Sequence, residues 1–407
     1  FRRVLFRSGE HTMLFEFDPQ EDQQAKLRVV GIGGAGGNAV NRMIQSGMQG
    51  VDFITINTDA QDLENNAAEQ KIQIGKNLTK GLGAGAKADV GKVAMEDDRE
   101  AITAMLEGSD MVFITAGMGG GTGTGAAPVI GQISKELGIL TVGIVTLPFN
   151  FEGPKRMNRA LNGIEELRKS CDTVIGIPNQ KLMSIVDKST TVIEAFQLAD
   201  SILNQATKGI SDLINVHGLI NLDFADVETI MKNMGDAIMG TGQASGEERA
   251  VLAAQQAISS PLLDDSTIGG AQGVLVNITG GPDLTLMEVD DASGIIFEEA
   301  GKGVNLIFGA VIDPALTDEI RVTVIATGFN HKKSIEMSHE HVVDEDPPRH
   351  KETHILSDQM NVPLHQKEEE IPAISLPPAI LKKEIIEGSV IYGNDLDIPA
   401  FIRRQHE

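Results

Sequence analysis

The chain has 407 residues, which is too long for one ordinary hydrophobic core and predicts two domains with additional segments. Its net charge is −24, and so acidic a chain argues against a protein that binds nucleic acid without sequence preference. The single cysteine, Cys171, excludes a disulfide within the chain and fits a reducing cytoplasm. No apolar run reaches the ~18 residues that a membrane-spanning helix needs, so no direct membrane insertion is expected.

The first twelve residues, FRRVLFRSGEHT, are basic, whereas the chain that follows them is acidic. Met13 stands directly after them and offers a natural start. We therefore interpret residues 1–12 as a tag or an artefact and leave them out of the predicted fold.

A first glycine-rich loop lies between a predicted strand at 26–30 and a predicted helix at 39–47. Gly31, Gly33 and Gly36 satisfy the G-x-G-x-x-G spacing in the strand–turn–helix context of dinucleotide-binding loops. This spacing alone also fits an oxidoreductase that uses NAD. The next predicted strand, 51–56, is followed by Asn57 and not by the acid that would bind a ribose. The choice between an oxidoreductase and another nucleotide-binding protein therefore stays open at this point.

The most glycine-rich loop, GMGGGTGTG at 117–125, separates a predicted strand at 111–115 from a predicted helix at 126–137. Backbone N–H groups in such a turn, together with the positive end of the helix dipole, bind an anion such as a phosphate. Glycine is required because a Cβ would hold the phosphate away. Thr122 and Thr124 can add hydroxyl donors. A third glycine-rich loop, KGLGAGA, occupies 80–86 and precedes a predicted helix at 89–106.

Strands and helices alternate from residue 26 to residue 177, which predicts a parallel sheet with helices on both faces. Ligands bind such sheets at the carboxyl ends of the strands, and all three glycine-rich loops follow strands. They can therefore converge on one nucleotide. The chain has neither the P-loop lysine of G-x-x-x-x-G-K-[ST] nor the Asn-Lys-x-Asp motif that reads guanine, so the base stays open.

One amphipathic pattern extends over 190–217 and predicts a helix of about 40 Å between the two domains. The segment GLINLDFAD at 218–226 follows it and leads into a predicted helix at 227–233. Asp223 and Asp226 are three residues apart and can share one face at the helix start. Capping of the helix is the simpler interpretation, because Asp is favoured at N-caps, and a functional role is the alternative.

The predicted organisation is a nucleotide-binding domain at 13–189, a central helix at 190–218, and an α+β domain at 219–330 for assembly or support. From residue 331 onwards Pro, Glu, Lys and His dominate, which predicts a disordered linker at 331–388. Residues 389–407 are predicted to be a docking peptide, because a short apolar segment with a basic end follows the linker.

These motifs resemble the FtsZ family, the tubulin-like GTPases of bacterial cell division. The glycine-rich loops, NTDAQ at 57–61, the segment 148–156 and NLDFAD at 221–226 match family loops in order, and DIPAFIR, from Asp397 to Arg403, resembles the family's tail peptide. Ala35 departs from the family, where glycine is common, and residues 1–12 have no counterpart. The implied fold is α/β, with a Rossmann-like GTP-binding domain on a parallel sheet, a long central helix and a smaller α+β second domain.

The resemblance implies that the ligand is GTP or GDP, with Mg²⁺ held mainly by the nucleotide phosphates and no metal ligand assigned on the protein. Loop 83–86 would meet the γ-phosphate, Glu152 would bind the ribose, and Arg156 would lie beside the nucleotide. Asn179 and Asp200 would read guanine. The remaining residues implied to bind the nucleotide are Gly34, Ala35, Gly36, Gly37, Asn38, Gly85, Ala86, Gly120, Gly121, Thr122, Gly123 and Thr124.

The resemblance also implies that the loop with Asn221, Asp223 and Asp226 enters the site of the next subunit. The two acids would orient or deprotonate the attacking water, and Asn221 would help place the phosphate or metal, which replaces the capping interpretation. The protein would then be a GTPase activated by head-to-tail polymerisation, a cytoplasmic scaffold of the bacterial division ring at mid-cell. Its implied partners are copies of itself and, through the tail peptide, division proteins and membrane tethers such as FtsA.

Two other classes of protein explain less of the sequence. An NAD-dependent oxidoreductase accounts for the loop at 31–36 but not for the other two glycine-rich loops, the acidic loop or the tail. A nucleotide-binding scaffold without hydrolysis would have no need of Asn221, Asp223 and Asp226.

Overall fold

The computed structural model describes residues 25–187, 189–216, 218–220, 222–263 and 268–329. Predictions for residues 1–12, for Asn221, for the linker and for the docking peptide with Asp397 and Arg403 lie outside the described residues.

In the part of the chain that the structure describes, ten strands form one sheet in the order β3-β2-β1-β4-β5-β6-β7-β10-β8-β9. The strands are β1 Leu27–Ile32, β2 Val51–Asn57, β3 Gln70–Gln73, β4 Met111–Gly117, β5 Leu140–Leu147, β6 Thr173–Pro178, β7 Gly235–Ser245, β8 Gly273–Gly280, β9 Asn305–Ile312 and β10 Glu319–Thr327.

Twelve α-helices lie among the described residues. They are α1 Gly33–Gln45, α2 Ala60–Glu64, α3 Lys76–Thr79, α4 Ala88–Asp97, α5 Arg99–Leu106, α6 Thr122–Glu136, α7 Pro154–Ser170, α8 Asn179–Leu182, α9 Val192–Asn215, α10 Phe224–Met231, α11 Arg249–Ile258 and α12 Leu286–Ala300. Two short 3₁₀ turns cover Asn150–Glu152 and Pro261–Leu263.

The first seven strands of the chain pair in parallel throughout, and only β10 runs antiparallel to its neighbours β7 and β8. The register aligns Leu27 of β1 with Val51 on one side and with Met111 on the other. Parallel pairing places the carboxyl ends of β1 to β6 along one edge of the sheet. The loops that follow these strands therefore meet at that edge, as the predicted fold class requires.

Both faces of the parallel strands are covered by helices. Successive side chains of a strand point to opposite faces, so Val29 and Phe113 belong to one core and Val30 and Ile114 to the other. Helices α1, α9 and α10 cover the first core, and α4 to α7 cover the second. A third core lies between β7–β10 and helices α11 and α12. Burial on both faces explains why these strands are continuous apolar runs.

Helix α9 contacts both halves of the sheet. Its 24 residues span about 36 Å at 1.5 Å per residue. A capping box at Thr191 and Glu194 begins the helix, with Glu194 N–H donating to Thr191 Oγ1 over 3.2 Å. The buried face of α9 includes Leu203, which packs in the core that also holds Leu275 of β8 and Ile325 of β10. The helix therefore joins the parallel strands to the C-terminal strands.

We expect Leu203→Ala to lower the free energy of unfolding by about 2–5 kcal/mol, because the Leu203 side chain is 1% exposed and its removal leaves a cavity. Leu161→Ala is the matched control, since Leu161 is 48% exposed on α7. Urea titration of both variants measures the effect. Equal unfolding midpoints would contradict the packing role of α9.

The structure differs from the sequence prediction in the short helices α2, α3 and α8, which were not predicted, and in two longer elements. Strand β7 was not predicted, because its residues GDAIMGTGQAS lack the β-branched alternation of a strand. The predicted helix at 89–106 is two helices, α4 and α5, which meet at Asp98, whose Oδ2 accepts the Gly75 N–H over 2.8 Å. Within the ranges that the structure describes, none of the helices is both long and apolar enough for a membrane span.

Candidate functional site

The three glycine-rich loops pack directly against each other at the carboxyl edge of the sheet. A Cβ on Gly121 would lie 2.4 Å from the Gly85 carbonyl oxygen, and one on Gly33 would lie 3.1 Å from the Gly123 nitrogen. Gly33 also has a φ of +69°, which side chains disfavour. Backbone therefore contacts backbone here without intervening side chains, and the amide groups of three loops come together at one place.

A cavity of about 320 Å³ opens between these loops. Thirteen residues that the sequence assigned to nucleotide binding line it: Gly34, Ala35, Asn38, Gly83, Ala84, Gly85, Ala86, Gly120, Gly121, Thr122, Gly123, Arg156 and Asp200. Ala35, the departure from the family pattern, packs against Gly117, where a second Cβ would lie only 2.6 Å away. The glycine at 117 thus leaves room for the methyl group at 35.

Two predicted glycines lie outside the cavity lining. A Cβ on Gly36 would lie 2.5 Å from the Thr115 carbonyl oxygen, so this glycine lets α1 approach β4. The Gly37 carbonyl accepts Asn66 Nδ2–H over 2.9 Å. Both residues are buried in the first turns of α1 and hold the loop in place, and their role toward a ligand stays a prediction.

Two threonine hydroxyls in the central loop are engaged within the protein. Thr122 Oγ1 lies 2.7 Å from Thr58 Oγ1, and Thr124 Oγ1 accepts the Gly119 N–H over 2.8 Å. Thr122 lines the cavity, whereas Thr124 lies behind its wall. The Thr124 hydroxyl therefore fixes the shape of the loop. Thr124 does not line the cavity, and its contact with the nucleotide stays a prediction.

Glu152 and Arg156 form an ion pair at the mouth of the cavity, with Glu152 Oε2 3.1 Å from Arg156 Nε. Glu152 Oε1 also accepts the Phe149 N–H over 2.8 Å. The carboxylate is thus turned inward and away from the lining, while Arg156 lines the cavity. In this geometry Glu152 orients Arg156, and its predicted contact with a ribose stays a prediction.

The far end of the cavity is formed by α9, which contributes Phe196 and Asp200. Burial raises the pKa of the Asp200 carboxyl to about 7, and the positive charge of Arg42 opposes that shift. Asn179, at the start of α8, is buried, and its Oδ1 has no hydrogen-bond partner among the described residues. A buried amide oxygen without a partner is costly, so Asn179 is suited to a ligand with N–H donors.

Other lining residues were not assigned from the sequence. Asn57 ends β2 and Asp59 follows it at the same sheet edge, and both lie in the NTDAQ segment at 57–61 that resembles a family loop. Arg159, Phe196 and Asp62 come from helices and carry no local motif. The full set of unassigned lining residues is Ile32, Gly33, Asn57, Asp59, Asp62, Gly117, Gly119, Arg159 and Phe196.

The predicted catalytic acids lie elsewhere. Asp223 and Asp226 are exposed and do not line the cavity. Asp223 occupies the N-cap position of α10, but its side chain makes no capping hydrogen bond. The capping interpretation of Asp223 is therefore wrong for its carboxylate, which faces solvent.

Comparison with known proteins identifies the fold. Residues 26–187 match the model for the Tubulin/FtsZ family GTPase domain, and residues 235–330 match the model for the FtsZ family C-terminal domain. The FtsZ of M. jannaschii, solved as an empty dimer, is 46% identical, with 76% of this chain and 89% of that chain covered and a TM-score of 0.73. A single-residue variant of the same FtsZ is also 46% identical, covering 75% and 92% at a TM-score of 0.73.

A more distant structure shares the fold. CetZ2 from Haloferax volcanii, solved as a GTPγS-bound protofilament, is 21% identical, with 77% of this chain and 96% of that chain covered and a TM-score of 0.63. The predicted fold class is confirmed, and the alternative of an NAD-dependent oxidoreductase is left without support. With two family models along its length and 46% identity over three quarters of its residues, the chain belongs to the FtsZ family of tubulin-type GTPases.

Proposed function

We propose that this GTPase polymerises head to tail and hydrolyses GTP at sites completed between adjacent subunits, as a scaffold of the division ring. The observation that carries the proposal is the separation of Asp223 and Asp226 from the phosphate-binding loops of the same chain. Phosphoryl transfer depends mainly on positioning and charge stabilisation. A phosphate-binding site without the catalytic acids can therefore bind GTP without hydrolysing it rapidly.

The fold keeps these acids away from their own cavity. From Asp200, at the cavity, α9 runs fifteen further residues to Asn215, which is about 22 Å along its axis. The chain is then held to β9, where Leu219 N–H donates to the Ala310 carbonyl over 2.9 Å. Asp223 follows four residues later. Asp223 and Asp226 thus lie beyond the opposite end of α9 from the cavity, which supports the proposal that they serve a second subunit.

Exposed apolar side chains favour such an assembly. Leu82 is 75% exposed and Phe151 is 63% exposed, and both stand in loops that follow parallel strands at the cavity edge. Leu219, 66% exposed, precedes the acidic loop at the other end of α9. Exposed apolar side chains near both ends of α9 fit a heterologous contact, which generates a filament when it does not close.

Within the proposed complex, GTP phosphates occupy the loops that contain Gly34, Gly85 and Gly121, and guanine lies between Phe196 and Asn179, facing Asp200. Mg²⁺ would be held mainly by the phosphates, which offer the oxygen ligands it prefers. Once bound, it would neutralise charge that develops on the phosphates. Asn221 would help place the phosphate or metal of the neighbouring site, and its position lies outside the described residues.

We expect GTP turnover per subunit to be near zero at low protein concentration and to rise above a threshold, because the site is complete only between subunits. Phosphate release and light scattering, read in the same cuvette over a range of protein concentrations, measure this. The two signals should share one threshold. Turnover per subunit that does not change with concentration would show that each chain hydrolyses alone.

We expect the affinity for GDP to fall about tenfold between pH 8 and pH 6. The pKa of Asp200 is raised to about 7, so the carboxylate that accepts the guanine N–H groups becomes protonated as the pH falls through 7. Calorimetric titration of GDP at several pH values measures the change. Asp200→Asn, which cannot titrate, is the control and should lose this dependence, whereas the same pH profile in both proteins would contradict the assignment.

The cellular part of the proposal depends on residues beyond the described ranges. The tail segment from Asp397 to Arg403 would bind membrane tethers such as FtsA, and the protein would act in the cytoplasm at mid-cell. These remain predictions from the resemblance of the motifs.

A further inference from the structure

A second cavity, of about 620 Å³, lies between helices α4, α6 and α7. Its floor includes Pro128 and Val129 of α6 and Gly163 of α7. A Cβ on Gly163 would lie 2.4 Å from Thr124 Cγ2, so this glycine brings α7 close to α6 at the cavity floor. The volume falls within the range of about 300–1,000 Å³ that is typical of small-molecule sites.

The charged side chains around this cavity favour an anion. Lys87, Lys92 and Arg159 line it, against the acids Asp89 and Glu166. Glu166 is paired with Lys169, outside the lining, over 2.6 Å. The side chains that line the cavity thus carry more positive than negative charge, although the net charge of the chain is −24. An apolar floor below cationic side chains suits a small organic anion with a hydrophobic body.

Arg159 belongs to both cavities. Its Nε–H donates to the Gly119 carbonyl over 3.1 Å, and the Gly119 N–H donates to Thr124 Oγ1 over 2.8 Å. Gly119 has a φ of +97°, so the loop at this point depends on glycine and on these two hydrogen bonds. An anion that draws the Arg159 guanidinium toward the second cavity would weaken its hold on the phosphate-binding loop.

We propose that the cavity between α4, α6 and α7 is a second ligand site, which takes a small organic phosphate or carboxylate and whose occupancy loosens bound nucleotide through Arg159. The proposal of a second site depends only on the residues that line this cavity. The coupling rests on the proposed binding of nucleotide at the first cavity. The two parts are therefore tested separately.

Calorimetric titration of 1-naphthyl phosphate, an aromatic phosphate monoester, into the GDP-saturated full-length protein tests the site. We expect binding that GDP does not compete away, and a dissociation constant raised about tenfold or more in the double variant Lys87→Gln, Lys92→Gln, which loses two charge-assisted contacts. Lys135→Gln, on α6 but outside the lining, should bind the probe like the original protein. Asn162→Trp, which places a large ring on the exposed rim, should also block the probe.

The proposal of a second site is overturned if GDP-saturated protein does not bind the probe, or if the double variant binds it unchanged. For the coupling, a fluorescent GDP analogue should dissociate about fivefold faster when the probe is present, and this acceleration should be absent in Arg159→Gln. An unchanged dissociation rate overturns the coupling alone. GDP binding is measured first without the probe, and its absence would overturn the proposed nucleotide site while the titration with the probe remains interpretable.

Discussion

Asp223→Ala is expected to bind GTP like the original protein and to lose about 10²–10⁴-fold in turnover, which is the typical contribution of a positioned acid or base. Binding should survive because Asp223 does not line the cavity, and folding should survive because its exposed side chain makes no capping hydrogen bond. Steady-state phosphate release and equilibrium nucleotide binding measure the two effects. Glu228→Gln is the matched control on the same helix, since Glu228 forms a surface ion pair with Lys232 at 2.7 Å.

A mixing experiment tests whether the acid acts on its own chain or on a neighbour. Asp223→Ala keeps a complete nucleotide cavity, whereas Asp200→Ala keeps the acidic loop but is expected to bind GTP poorly. In a head-to-tail contact, the acidic loop of an Asp200→Ala subunit would complete the nucleotide cavity of an Asp223→Ala subunit. Each variant alone should be nearly inactive, and their mixture should recover turnover. A mixture as inactive as its components would assign the acid to its own chain and contradict the shared site.

The parallel part of the fold could be predicted because burial on both faces makes its strands recognisable as apolar runs. Strand β7 could not be predicted, because its residue types are determined by the close packing of helix α11 against it. A Cβ on Gly242 would lie 2.0 Å from the Ala253 carbonyl oxygen of α11, and one on Gly240 would lie 2.0 Å from the Ala257 carbonyl oxygen. Glycine is thus required by close packing at these two positions, where the β-branched residues that would signal a strand do not fit.

The boundaries of the site's helices were misplaced for a related reason. The glycine-rich segments predict loops, yet α1 begins at Gly33 and α6 at Thr122, inside those segments. Their first turns have N–H groups without partners within the helix, and several residues of these turns, such as Gly34 and Thr122, line the cavity. The site residues on loops that follow parallel strands could be predicted, because the topology of the sheet brings these loops to one edge. Arg159 and Phe196 did not, because only tertiary packing turns those faces of α7 and α9 toward the cavity.

Asp200→Asn is expected to lower the affinity for GTP by about 10²-fold or more and to raise the affinity for xanthosine triphosphate. The carboxylate can accept both the N1–H and the amino group of guanine, and each charge-assisted bond contributes about 1.5–3 kcal/mol. The amide of Asn would set its own N–H₂ against the guanine amino group. In xanthine a carbonyl replaces that amino group and accepts the Asn N–H instead, so recognition is restored.

Competition of both nucleotides against a fluorescent GDP analogue measures this exchange in preference. Phe196→Leu is the control, because it removes a ring from the same end of the cavity without changing any hydrogen-bonding group. It should weaken both nucleotides alike. A loss of GTP binding in Asp200→Asn without a gain for the xanthine nucleotide would mean that Asp200 supports the cavity wall through α9 and does not read the base. The buried Asn179 would then be the remaining candidate for base recognition, since its Oδ1 has no partner among the described residues.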